Sequence, residues 1–272
     1  MLLVTLTAAG LACTSFSSTD EPTPGLEGDA AADRGTLEET GPSSGDGAVA
    51  VDSAPSCSKT LPFLDDFEGR AKLEGCWDGL TKSGAIAAGS VGELGMMAGA
   101  AGRAFRVRAS AVDSGLGGAI HLAKTITPAA PQPLRIGFKW LVEQHPNGPP
   151  DGLSGLYAVE VGYQYKAGAF VQHATIKLAF GANGKNINPY LSGTDLPVLG
   201  IETNALNESA IDVTATTATF SINGDPSATR TAPLAAGATD VAIESVKMGV
   251  TEVGSLPGDW SLYFDDVLID RL

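Results

Sequence analysis

From residue 57 to the C-terminus, apolar and polar positions alternate with a period of two, in short runs broken by Gly, Pro, Asn and Asp. That spacing puts successive side chains on opposite faces of a half-buried strand. The clearest runs are RAFRVRAS (103–110), GAIHLAKTIT (118–127), LRIGFKWLVE (134–143), LYAVEVGYQY (156–165), FVQHATIKLAF (170–180), SAIDVTA (209–215), TATFSING (217–224), VAIESVKMGV (241–250) and SLYFDDVLI (261–269). None sustains a helical period with caps at its ends. QHPNGPPDG (144–152) predicts a loop, because Pro146, Pro149 and Pro150 cannot donate to a central ladder. NGDP (223–226) predicts a hairpin tip, with Asn223-Gly224 supplying positive φ. Many strands without helices predict an all-β sandwich or barrel. About 215 residues is long for an immunoglobulin-like module and suits two large antiparallel sheets in one domain, a jelly roll.

The same alternation sorts candidate chemistry. In 134–143 the face opposite Phe138 and Trp140 carries Arg135 and Lys139; in 156–165 it carries Glu160 and Gln164; in 170–180 it carries His173 and Lys177. If these strands neighbour one another, the six residues share one polar face with small residues between them. Such a face, with Tyr190, Tyr165 or Trp260 as an aromatic platform, is a candidate ligand site suited to glycan. The alternative is the solvated outer face of an antiparallel sheet, which alternates in the same way.

Composition narrows the class. The net charge is −14 and basic residues do not cluster, which sets nucleic acid aside as a partner. A retaining glycoside hydrolase needs two carboxyl groups about 5–5.5 Å apart. The glucanase pattern on this kind of fold is Glu-x-Asp-x-x-Glu on one strand, whereas 156–165 offers Glu160 with Gly162 and Gln164 in the partner positions. A polysaccharide lyase wants an Arg/Gln/His/Tyr group, and His121, His145 and His173 are scattered along the chain. No nucleophile elbow, phosphate loop or dinucleotide fingerprint is present. The expectation is therefore a non-catalytic protein.

The N-terminal region differs in kind. MLLVTLTAAGLAC (1–13) is apolar, uncharged and too short to span a bilayer as a mature helix. It resembles a secretory signal ending in a bacterial lipobox, Gly10-Leu11-Ala12-Cys13, with Gly10 where that class usually has Leu. The resemblance implies a signal peptide over 1–12, diacylation of Cys13 and membrane attachment through that lipid anchor alone. An ordinary cleaved signal and secretion is the alternative. Residues 14–56 hold nine acids, one base (Arg34) and one aromatic (Phe16), which predicts a disordered acidic linker. The folded domain then spans 57–272. In an oxidising compartment Cys57 and Cys76 form an even pair, and their bridge would close a loop of about twenty residues worth roughly 3 kcal/mol. Two free buried thiols are the alternative.

The order DDFEG with a Trp soon after, AFRVR, the run around Trp140, IDVTATTATFSINGDP and YFDDVLI resembles the concanavalin A-like jelly rolls of the laminin-G-like class. The opening DFE and closing DDV also resemble jelly-roll carbohydrate-binding modules. The resemblance implies that first and last strands lie side by side, bringing Asp65, Asp66, Glu68, Asp265 and Asp266 towards one edge. Such a cluster repels itself unless something positive joins it. In the modules resembled, the opening Glu and closing Asp hold a structural Ca²⁺ ion, here Glu68 and Asp266. A metal-free junction paired with Arg70 or Arg271 is the alternative. By alternation only one of Asp265 and Asp266 can face inward. Together these readings anticipate a lipid-anchored envelope protein, in the outer membrane, whose domain binds a glycan or another surface ligand without catalysis. A structural envelope protein with no small ligand and a divergent polysaccharide-active enzyme are the alternatives.

Overall fold

The computed structural model describes 60–68, 72–73, 75–84, 91–97, 102–109, 118–127, 132–144, 156–180, 186–191, 194–201, 204–253 and 260–272. The signal peptide, Cys13, the linker, Cys57, Arg70 and most of the 144–152 loop lie outside these residues.

Two antiparallel sheets face each other. The first runs β14 (Thr229–Pro233), β13 (Thr217–Ile222), β12 (Asn207–Val213), β6 (Leu134–Gln144), β16 (Trp260–Arg271), β4 (Arg103–Ala109) and β3 (Val91–Met96), with β1 (Phe63–Asp65) also on β16. The second runs β10 (Thr194–Asp195), β9 (Asn186–Leu191), β8 (Phe170–Phe180), β7 (Leu156–Ala167), β15 (Thr239–Val253), β5 (Gly118–Thr125) and β2 (Gly79–Gly84), with β11 (Leu199–Gly200) also on β9. This is the expected two-sheet jelly-roll sandwich, and all nine clear runs are strands. Beyond them the structure adds β2, β3 and β9 to β11, which are short or rich in Gly. Asn223 and Gly224 take φ of 51° and 65°, as the hairpin tip requires.

The core is the inner face of both sheets. Phe105, Ile136, Trp140, Phe264 and Ile269 from the first meet Ile120, Val161, Tyr163, Ile176 and Met248 from the second. Inside the core the Trp140 indole donates to Ser209 Oγ at 2.8 Å. Cys76 is buried beside Trp77, which edges onto Phe63 at 5.3 Å between ring centroids.

First and last strands do pair, with Phe63 opposite Ile269 and Asp65 opposite Val267. Asp65 is buried and accepts the Trp77 indole N–H at 2.6 Å and the Phe67 backbone N–H at 2.9 Å. The closing pair departs from simple alternation. A bulge at Asp265-Asp266, with Asp266 at φ 47°, lies where β16 changes its neighbour from β4 to β1. The bulge uses up one step of the pleat. Phe264 and Val267 both stay inside, and Asp265 and Asp266 both stay half-buried at the surface.

Candidate functional site

The topology splits the six expected site residues. Arg135 and Lys139 belong to β6 in the first sheet; Glu160, Gln164, His173 and Lys177 belong to β7 and β8 in the second. The single six-residue face therefore does not form, because β6 pairs with β12 and β16 and never meets β7.

On the second sheet β7 lies between β8 and β15, and the register sets Lys177, Glu160 and Lys247 in one row. Glu160 Oε1 accepts from Lys247 Nζ at 2.6 Å, and its Oε2 lies 3.7 Å from Lys177 Nζ. Lys177 also donates to Glu252 Oε2 at 2.7 Å and sits 4.8 Å above the Tyr157 ring, which meets Tyr190 edge-on. Glu160 and Glu252, from neighbouring strands, thus share Lys177 as a common partner. Burial lowers the Lys177 pKa, but Glu252 and Glu160 outweigh it and the net shift is upward.

His121 completes this face. It lies on β5 opposite Gly249, two residues along from the Lys247 row, and is buried at 7% exposure. Its Nδ1 has no hydrogen-bond partner among the described residues. Burial, and then the Lys247 charge, hold its pKa below the ordinary histidine value, against the pull of Glu160 and the Val250 carbonyl. A neutral imidazole with an unengaged nitrogen, within the field of Lys247 and Glu160, is equipped for proton transfer. His173 is farther along, exposed, with Nδ1 2.9 Å from Glu244; Gln164 is its opposite number on β7. His121, Lys247 and Glu252 were not among the expected site residues. Strand neighbours bring them in, and one strand's periodicity carries no signal for them.

The carboxylates at the chain junction form a separate cluster. Asp66, Glu68, Asp265 and Asp266 line one pocket with Lys139. Lys139 binds Asp266 at 2.6 Å, and Glu68 accepts the Arg103 backbone N–H over Gly102, where a side chain would overlap the Glu68 carboxylate. Burial, with Asp266 and Glu68 adding repulsion, pushes Asp265 up to about 6. No group of three or more potential metal ligands is assembled among the described residues. The donor set fits Ca²⁺ poorly, since Lys139 supplies the positive charge and Glu68 is committed to backbone. Arg135 instead makes a two-pronged pair with Asp212, both contacts at 2.7 Å.

No protein-family model matches the chain. No curated protein matches it either. Solved structures do. A family 7 alginate lyase, A1-II', in complex with product is 14% identical, with TM-score 0.45, over 62% of this chain and 80% of that one. A carbohydrate esterase of the Shiga toxin-encoding bacteriophage phi24B is 15% identical, with TM-score 0.42, over 71% and 90%. The binding domain of Botulinum Neurotoxin DC in complex with SialylT is 8% identical, with TM-score 0.44, over 79% and 48%. These likenesses concern the fold alone. The expectation of a non-catalytic protein, which rested on the missing acid partner and the scattered histidines, is corrected here: the solved structures with this fold include alginate lyases and a carbohydrate esterase. The physical reason lies in the count of acids: Gly162 and Gln164 do leave Glu160 without a partner on its own strand, but Glu252 arrives from β15.

Proposed function

We propose that this protein is a polysaccharide-active enzyme whose active face is the outer side of the second sheet. One observation carries the reading: buried His121, with an unengaged ring nitrogen, beside the Lys247–Glu160–Lys177–Glu252 network. The chemistry that suits this set is β-elimination on a uronate-containing chain. Lys177 and Lys247 exchange a glutamate oxygen for the sugar carboxylate and stabilise charge as it develops. His121, uncovered as Lys247 turns from Glu160 to the sugar, takes the proton from the carbon next to that carboxylate. The electron pair forms the C=C bond, the C–O bond to the leaving sugar breaks, and Tyr157 protonates the departing oxygen. A hydrolase using Glu160 and Glu252 is the second reading, favoured by their shared contact with Lys177.

The test is incubation of purified protein with alginate and other uronate polymers, following both the ultraviolet absorbance of unsaturated product and reducing ends. Absorbance that His121→Ala abolishes supports elimination. Reducing ends without absorbance, lost in Glu252→Gln, support hydrolysis. No cleavage by folded protein overturns both.

The placement of the enzyme belongs to the same proposal. The lipobox-like Cys13 and the acidic stretch after it support a lipid-anchored envelope protein held away from the membrane on a tether. Cys57 and Cys76, an even pair in that compartment, support a disulfide at the start of the domain.

A further inference from the structure

The first sheet has its own opening on the far side of the sandwich from His121. A cavity of 620 Å³ crosses β16, β6, β12 and β13, within the usual size of a small-molecule site. Its floor is Gly137 and Ala210, and a Cβ at Gly137 would meet nothing nearer than Leu268 Cβ at 3.9 Å. Leu64 and Leu268, opposite one another in the β1–β16 register, form an apolar wall, and Leu64 is 57% exposed. Around the floor stand two cation–carboxylate pairs, Arg135–Asp212 and Lys139–Asp266.

We propose that this groove is a second, non-catalytic holding site of the enzyme, for uncharged pyranose units of a polysaccharide. Three features point to that ligand. Both cations of the groove are paired and Glu208 adds one further carboxylate to its lining, so the field disfavours an anionic polymer. Each pair offers donors and acceptors side by side, which is what vicinal hydroxyls engage. The leucine wall offers apolar contact to the C–H edge of a ring, over a floor whose small residues let the ring approach the sheet. The proposal stands apart from the cleavage reading, because no residue is shared with the second sheet.

The test is pelleting of full-length protein with insoluble cellulose, chitin and β-1,3-glucan. Wild type binds at least one of them. Gly137→Trp, which fills the floor, and Leu64→Asp, on an exposed wall position, each weaken retention about tenfold with unchanged melting temperature. Lys177→Ala, on the other sheet, pellets as wild type. Failure of wild type to pellet with all three polymers overturns the proposal, as does loss in Lys177→Ala alone. Cleavage of soluble uronate polymer is read separately, so the two sites fail or stand independently.

Discussion

Gly249 offers the sharpest single test of the architecture that positions His121. It lies opposite His121 in the β15–β5 register, with φ at 118°. A Cβ there would lie 2.5 Å from the Ile120 carbonyl oxygen and 2.9 Å from the His121 Cα. Both are backbone atoms, so no side chain can swing away to make room. Gly249→Ala therefore costs about 1–3 kcal/mol in backbone strain. Forced separation of β15 from β5 costs about 1–3 kcal/mol more. About 4 kcal/mol is a large part of the roughly 5–15 kcal/mol that holds a domain together. At about 2–4 °C per kcal/mol for a domain of this size, the melting temperature falls by about 10 °C. Gly137→Ala is the matched control, because its added methyl meets only ordinary contact with Leu268 at 3.9 Å; it is neutral or stabilising by up to about 1 kcal/mol. Urea unfolding of both variants decides the matter. A cost below about 1 kcal/mol for Gly249→Ala, or equal costs for the two, refutes the account of β15 and β5.

Other consequences follow from the charged groups and the buried cysteine. Asp265, raised to about 6 by burial and by Asp266 and Glu68, is ionised at neutral pH at the fold's expense. Asp265→Asn thus stabilises by about 1 kcal/mol above that pH, after allowance for its half exposure, and the gain vanishes below the ordinary value of 3.8; melting curves across pH show it. His121, lowered by burial and Lys247, stays neutral in the fold while an unfolded histidine charges below 6.5, so stability falls as pH drops through that value. The same neutrality keeps the proposed base available in mildly acidic solution, and His121→Ala lowers the cleavage rate by roughly 10²–10⁴-fold, read against a pH–rate profile. Asp65→Ala removes the acceptor of the Trp77 indole N–H and of the Phe67 backbone N–H in the core and costs about 3 kcal/mol in urea unfolding. Reduction of the proposed Cys57–Cys76 bridge removes roughly 3 kcal/mol, measured with and without reductant.

The long strands were legible because their period-two pattern survives burial of one face: Leu134, Ile136, Phe138 and Trp140 all point inward, as alternation requires. The short ones were not. Gly92 and Gly95 in β3, Gly79 and Gly84 in β2 and Pro189 in β9 dilute the apolar signal, and these strands form because a neighbour pairs with them. The pairing of the DDF and YFD segments was legible as an echo at the two ends of the domain. Their facing was not, because the bulge at Asp265-Asp266 depends on where β16 changes its neighbour.

The candidate site shows why single strands mislead in this fold class. Alternation correctly sent Glu160, Gln164, His173 and Lys177 to one face, yet it also added Arg135 and Lys139, which belong to the other sheet. It left out His121, Lys247 and Glu252, which lie on β5 and β15, one or two strands from Glu160. Periodicity reports which way a side chain points; strand order and register report what it meets. In a sheet protein an acid pair can be made across strands as readily as along one. The lone glutamate in LYAVEVGYQY therefore excluded a pattern on one strand and left the chemistry of the sheet face open.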